Sequence, residues 1–170
     1  MSCPPVETVT LEPVPIEDKA VVRNLMELCQ HDYSEVLQHD VNTHGLFGYP
    51  YLDHFWTEPG RHAFFVRADG TLAGFALIRT LEGDEGEPVL DLTEFFVLRK
   101  YRRLGIGRQA AEAVFDRLPG RWRVASLPGS ATALTFWRDT VARYTGGPFE
   151  EEDDAEWGGP VLFFTAPARR

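Results

Sequence analysis

Two carboxylates, Asp91 and Glu94, sit in the apolar run PVLDLTEFFV (residues 88–97), just upstream of Arg102-Arg103-Leu104-Gly105-Ile106-Gly107-Arg108. A carboxylate among apolar groups can take a proton from an ammonium near neutral pH. A glycine-rich turn that opens a helix presents unpaired N–H groups and a partial positive charge, an outline suited to pyrophosphate. Glycine lacks a Cβ, so a ligand can approach such a backbone closely. Arg99, Lys100, Arg102, Arg103 and Arg108 crowd this turn although the chain carries a net charge of −9, so the positive charge is local. As a bare spacing, R-x-x-G-x-G fits a plain strand-to-helix turn with solvated arginines equally well. Residues three apart in a regular strand face opposite sides, so only one of Asp91 and Glu94 should see a given cleft, unless a bulge intervenes.

The positioning elements follow from periodicity. Val6 to Val14 reads as a strand, and Pro15 ends it. Val21, Leu25, Leu28 and Cys29 predict a helix to about His31, with Glu17 and Asp18 in its first turn; a short helix from Tyr33 to Leu37 follows. Residues 38–60 form an aromatic loop with little periodicity. HAFFVR and LAGFALIR flank Asp69-Gly70, a hairpin signal, and a third strand covers Pro88 to Val97. Gly105 to Leu118 reads as a helix and Trp122 to Ser126 as a strand. Ser130 caps a second helix with Ala133, Trp137, Val141 and Tyr144 on its inner face. The acidic run 150–156 reads as a solvated loop, and Val161 to Thr165 as a last strand. The order β-α-α-β-β-β-α-β-α-β is an α/β fold with a mixed β-sheet flanked by helices, in one domain spanning residues 1–170.

Composition narrows the function classes. An acidic chain is not built to bind nucleic acid through phosphate contacts. No apolar run approaches the roughly 20 residues of a membrane helix. MSCPPVETV lacks the features of a secretory signal, so a cytoplasmic setting with Cys3 and Cys29 as free thiols is expected. His31, His39, His44, His54 and His62 show no metal-ligand spacing, and no G-x-S-x-G elbow is present.

The segment from Phe95 to Leu118 resembles the GNAT superfamily of N-acetyltransferases, whose acetyl-CoA motif is Gln/Arg-x-x-Gly-x-Gly/Ala between a strand and a helix. A second block, Trp122 to Thr145, is similar to that family's Asn-x-x-Ala-x-x-Phe-Trp/Tyr segment. The resemblance implies a splayed sheet that admits the pantetheine arm of acetyl-CoA, the co-substrate. It implies that Phe95, Phe96 and Val97 line the acetyl path with their main chain, and that Arg103, Leu104, Gly105, Ile106, Gly107 and Arg108 wrap the pyrophosphate. Arg102 stands at the motif's first position. Two positions depart from the pattern. Ser130 replaces the asparagine; it can bond the pantetheine or simply cap its helix. Trp137 stands where many members carry a proton-donating tyrosine; an indole cannot serve, so Trp137 reads as wall, and Tyr144 is the substitute acid to consider.

The expected activity is acetyl transfer to a primary amine of a small molecule or protein, directly in a ternary complex, with Asp91 or Glu94 as base. Tyr33, Phe47, Tyr49, Tyr51 and Trp56, interleaved with Asp32, Glu35, Asp40, Asp53 and Glu58, suit a cationic acceptor. No nucleic acid or membrane partner is expected, and a homodimer stays open. The alternative is a non-catalytic acyl-CoA-binding or regulatory module on the same fold.

Overall fold

The computed structural model describes residues 5–168. Seven strands form one sheet: β1 (Val9–Pro13), β2 (Arg61–Ala68), β3 (Thr71–Glu82), β4 (Pro88–Val97), β5 (Gly120–Ala125), β6 (Glu150–Asp154) and β7 (Gly159–Ala166), ordered β1-β2-β3-β4-β5-β7-β6. The helices are α1 (Lys19–Leu37), α2 (His54–Thr57), α3 (Ile106–Arg117) and α4 (Ala131–Thr145). The β2–β3 hairpin turns at Asp69 (φ 47°) and Gly70 (φ 77°), the paired left-handed residues that Asp-Gly accommodates. The Asp69 carboxylate also accepts the N–H groups of Glu7 and Thr8, which fixes the approach to β1.

Helices α3 and α4 cover one face of the sheet. Val114, Phe115, Trp137 and Val141 pack there on Ile78, Leu92, Trp122 and Val124. Helix α1 covers the other face over β2 to β4, where Val22, Leu25, Met26 and Cys29 meet Phe65, Phe75, Leu77 and Phe96. Strands β4 and β5 are joined through α3 and run parallel, while the other neighbouring pairs are antiparallel. Their pairing ends after Val89↔Arg121, Leu90↔Trp122 and Asp91↔Arg123. Beyond Asp91 the two strands part, and the β4 edge facing β5 has no strand partner.

Several expectations are corrected. The first strand spans only Val9–Pro13. The two short helices at 21–37 are one continuous α1. The helix survives Asp32 because that side chain reaches outward to Arg99 and Arg102, while the ring of Tyr33 packs against the core below. Leu28 does not face inward: it is 50% exposed, because the buried stripe runs through Val22, Leu25, Met26 and Cys29. The loop at 38–60 contains α2 and is tied down by Glu27, whose carboxylate accepts the N–H groups of Phe47 (2.8 Å) and Gly48 (2.9 Å). The acidic run is not a solvated loop: residues 150–154 form the edge strand β6. Acidic side chains disfavour a strand by propensity. Here Glu150, Glu151 and Asp154 pair with Arg121, Arg138 and Arg123, which holds the strand on β7. Cys29 is buried and unpaired; Cys3 lies outside the described residues. Among the described residues no helix is long and apolar enough to cross a membrane.

Candidate active site

A bulge breaks the regular alternation of β4. Leu77 pairs with Glu94 while Ile78 pairs with Leu92, so Thr93 is the extra residue in β4. Its insertion reverses the alternation that follows. Leu92 and Phe95 both pack on the α3/α4 side, whereas Phe96 packs on the α1 side. Asp91 and Glu94 therefore share the α1 face instead of opposing each other. One inserted residue brings both carboxylates to the mouth of the split.

The two acids differ in their surroundings. Asp91 is 2% exposed, and both its oxygens are engaged: Oδ2 accepts from Arg79 Nε (2.8 Å) and Oδ1 from Arg123 Nη1 (2.7 Å). Arg123 continues to Asp154 (2.9 Å), so Asp91 anchors a ladder of alternating charge running from β3 to β6. Among the described residues no arginine pairs with Glu94. Burial pushes its carboxyl up to about 7; a hydrogen bond from Tyr49 opposes this, the charge of Asp91 adds to it, and Arg79 lowers it. A carboxyl in that range is half ionised at neutral pH, where a general base works best. Burial also raises the hydroxyls of Tyr49 and Tyr33 above the ordinary phenol range, so both remain O–H donors. Tyr33 is linked to Cys29 and Tyr49 to Glu94, which places two of the expected aromatic wall residues beside these groups.

The remaining acceptor candidates are otherwise employed. Asp32 holds Arg99 and Arg102, Asp53 holds Lys19 at 2.8 Å, and Glu58 holds Arg61 at 2.7 Å. The Trp56 indole donates to the carbonyl of Val14 (2.9 Å) and so braces the loop. Tyr51 is 59% exposed.

At the far end of β4, a short 3-10 turn (Arg99–Tyr101) leads into the arginine-glycine segment. Arg103 (φ 64°) and Gly105 (φ 77°) are left-handed, so the chain reverses twice before α3 begins. Among the described residues, the main-chain N–H groups of Arg103, Leu104, Gly105, Ile106, Gly107 and Arg108 donate to no protein oxygen; the first helical bond is Gln109 N–H to Gly105 C=O (3.1 Å). Successive unpaired amides at a helix N-terminus form an anion cradle. A Cβ on Gly105 would meet nothing closer than Gln109 Nε2 at 3.9 Å, so the space on that side of Gly105 is open. Gly107 serves packing instead: its Cβ position lies 3.4 Å from the Phe136 ring of α4. Leu104 is 45% exposed beside the cradle. Arg108 has a buried Nε without a hydrogen-bond partner; Glu112 lies 3.8 Å away.

Arg102, at the first position of the motif, turns away from the cradle. Its Nε donates to the carbonyl of Val97 (2.7 Å), its Nη2 pairs with Asp32, and it lies over the Phe96 ring (5.4 Å). It clamps the end of β4 to α1. Phe95 sends its ring the opposite way, to Phe136 (6.4 Å) and Trp137 (5.2 Å). Trp137 is 7% exposed and walls the α4 side of the split. The Ser130 hydroxyl accepts from Ala133 N–H (3.2 Å) as the cap of α4. Tyr144 is not brought to Glu94. It packs on Phe115 and Phe164 on the opposite face of the sheet, and its hydroxyl donates to Asp116 (2.8 Å). Two surface depressions of about 410 and 400 Å³ lie elsewhere, one beside Phe55, His62 and Arg117, the other beside Phe149 and Phe163. Neither is lined by Glu94 or the cradle.

This mixed sheet flanked by helices is a fold shared with solved acetyltransferases. An acetyltransferase from Thermus thermophilus superposes with a TM-score of 0.67 at 18% identity, covering 94% of this chain and 97% of that one. The PaiA N-acetyltransferase of Thermoplasma acidophilum, solved with coenzyme A, gives 0.60 at 13% identity (94% and 99% covered). Arabidopsis thaliana Naa50, bound to the bisubstrate analogue CoA-Ac-MVNAL, gives 0.57 at 15% identity (91% and 96% covered). At these identities the likeness is one of fold. No curated protein sequence matches. Residues 22–139 match the model of the Acetyltransferase (GNAT) family, and the chain belongs to that family.

Proposed function

We propose that this protein is an acetyl-CoA-dependent N-acetyltransferase that acetylates a primary amine of a small molecule or protein within a ternary complex. The observation that carries the reading is the position of Glu94. A carboxyl poised near neutral pH stands just past the last β4–β5 pair, on the strand that leads into the amide cradle. Binding of coenzyme A or an analogue by neighbours of the same fold supports the same reading.

The cradle fits the group it is proposed to hold. The free N–H groups of residues 103–108 face the pyrophosphate, with Arg103 and Arg108 adding charge. The unpaired edge of β4 at Phe95, Phe96 and Val97 receives the amides of the arm as a neighbouring strand would. Trp137 and Phe95 exclude water on the α4 side. Ser130 sets the start of α4, Arg102 fixes the exit of β4, and Asp91 holds Arg79 near the base. Glu94 takes the proton of the acceptor ammonium, directly or through water. The neutral nitrogen then forms its bond to the acetyl carbon, the C–S bond breaks with its electron pair passing to sulfur, and the acylated nitrogen gives its second proton to the departing thiolate or to solvent. Tyr49 holds the carboxylate in place.

Calorimetry with acetyl-CoA, followed by release of coenzyme A thiol across a panel of amines, tests the reading. Binding with turnover is expected. Binding without turnover for any amine would favour a regulatory module, and acetylation of the enzyme by acetyl-CoA alone would overturn direct transfer. The Gly105→Val variant isolates the cradle. A β-branched residue at φ 77° carries roughly 1–2 kcal/mol of strain and re-aims the amides, so coenzyme A affinity should fall about 10- to 30-fold while the fold persists.

A further inference from the structure

Ser126 follows β5 directly and still belongs to its ladder. Its N–H donates to the carbonyl of Pro160 (3.0 Å), and its own carbonyl accepts the Trp157 indole (2.6 Å). Alternation therefore places its side chain on the α3/α4 face, in line with Trp122 and Val124. The residue is 1% exposed, and its Oγ has no hydrogen-bond partner among the described residues. A buried hydroxyl left unpaired is a standing cost to the fold, which an alanine there would avoid.

Position gives this hydroxyl a use. Pairing of β4 with β5 stops at Asp91↔Arg123. Glu94 stands three residues past Asp91 on one lip of the split, and Ser126 three residues past Arg123 on the other. The carboxylate lies on the α1 face and the hydroxyl on the α3/α4 face. The cradle at the start of α3 delivers the arm from the Ser126 side, while the base works from the Glu94 side. On the acetyl-CoA reading, the acetyl carbon would lie between them, with the sulfur bonded to it toward Ser126.

We propose that the Ser126 Oγ–H donates a hydrogen bond to the coenzyme A sulfur as it becomes a thiolate. The proposal rests on the acetyl-CoA reading above. As the N–C bond forms, the C–S electron pair collapses onto sulfur; Glu94 holds the first proton from the amine, the thiolate or solvent takes the second from the acylated nitrogen, and Ser126 keeps its own. The hydroxyl thus stabilises the leaving group without acting as an acid. Trp137 has no hydroxyl, and Tyr144 donates its own to Asp116, so neither offers a hydroxyl here.

The test is the titration of the enzyme-bound coenzyme A thiol, read by thiolate ultraviolet absorbance, in wild type, Ser126→Ala and Ser126→Gly. Loss of the donor should move the bound thiol up by about one pH unit in both variants. It should lower kcat about 10-fold or more, with KM for acetyl-CoA within about twofold. Ligand-free Ser126→Ala should melt no lower than wild type, since it loses only an unpaired hydroxyl. If the variants bind coenzyme A and the thiol titrates as in wild type, the hydroxyl serves water or packing alone and the proposal fails. Failure of the wild-type protein to bind coenzyme A at all would instead overturn the reading of the cradle, and this proposal with it.

Discussion

Glu94→Gln is expected to lower kcat/KM at pH 7 by about 10²- to 10⁴-fold, the range that removal of a general base produces, while leaving coenzyme A affinity near the wild-type value. The two effects separate because Glu94 lies on the α1 face of β4, whereas the cradle amides belong to residues 103–108. The wild-type rate should fall below about pH 7 as the carboxyl takes up its proton, and the variant should lose that acid limb. Stability should change in the opposite sense to activity. The folded-state pKa of Glu94 is raised from 4.5 to about 7, so the native state holds the extra proton. Its stabilising contribution is complete below about pH 4.5 and is lost as pH rises through 7; above that, keeping an ionised carboxylate buried costs roughly 3 kcal/mol. The glutamine variant should therefore melt several degrees higher than wild type at pH 8 and lose that advantage near pH 4.5, an order-of-magnitude expectation for a chain of this size. Thermal melts at the two pH values and a pH–rate profile check both halves. A variant that keeps both the wild-type rate and the acid limb would remove Glu94 from the chemistry.

Gly74→Ala should be the most damaging single methyl in the sheet. A Cβ at Gly74 would lie 1.9 Å from the carbonyl oxygen of Phe96 and 2.9 Å from its carbon. Both are main-chain atoms, so no rotamer change relieves the overlap. The close approach has a local cause: Val66 pairs with Gly74 while Arg67 pairs with Leu72, so Ala73 is an extra residue that presses β3 toward β4. Adding the methyl forces apart Gly74 and Val97, the pair that fixes the end of β4 just before the cradle. A loss of at least about 3 kcal/mol, with a melting point lower by roughly 10 °C or an insoluble product, is expected. Gly107→Ala supplies the contrast: its methyl meets only the edge of a side chain at 3.4 Å, and the change should cost under about 1 kcal/mol. Equal melting of wild type and Gly74→Ala would show that β3 and β4 can separate there without penalty.

Much of the fold was legible because its signals are local. Asp69-Gly70 between two apolar runs dictates the hairpin, and the left-handed pair at 47° and 77° is what that dipeptide favours. Ser130 caps α4, and the glycine-arginine turn opens α3, as short-range hydrogen bonding requires. Elements governed by partners distant in sequence were not legible. Residues 150–154 have the composition of a solvated loop and form a strand because Arg121, Arg123 and Arg138 neutralise them. Helix α1 continues past Asp32 because Arg99 and Arg102, far along the chain, give that carboxylate partners. Arg102 itself was read as part of a phosphate site, and its guanidinium is held by the Val97 carbonyl and Asp32.

The sequence by itself determined the order of most elements, the glycine-arginine turn that opens α3 and the presence of acids on the strand before it. These depend on periodicity, glycine placement and turn chemistry, which act over a few residues. Only the tertiary structure decided which acid is held by arginines and which is not. The extra residue Thr93 turns Asp91 and Glu94 to the same face; two arginines from neighbouring strands then claim Asp91, while burial beside Tyr49 leaves Glu94 near neutrality. The same holds for Ser126, a serine like any other in the chain until the parting of β4 and β5 leaves its hydroxyl buried without a partner. Burial and ion pairing depend on groups brought together by the fold, and no spacing along the chain records them.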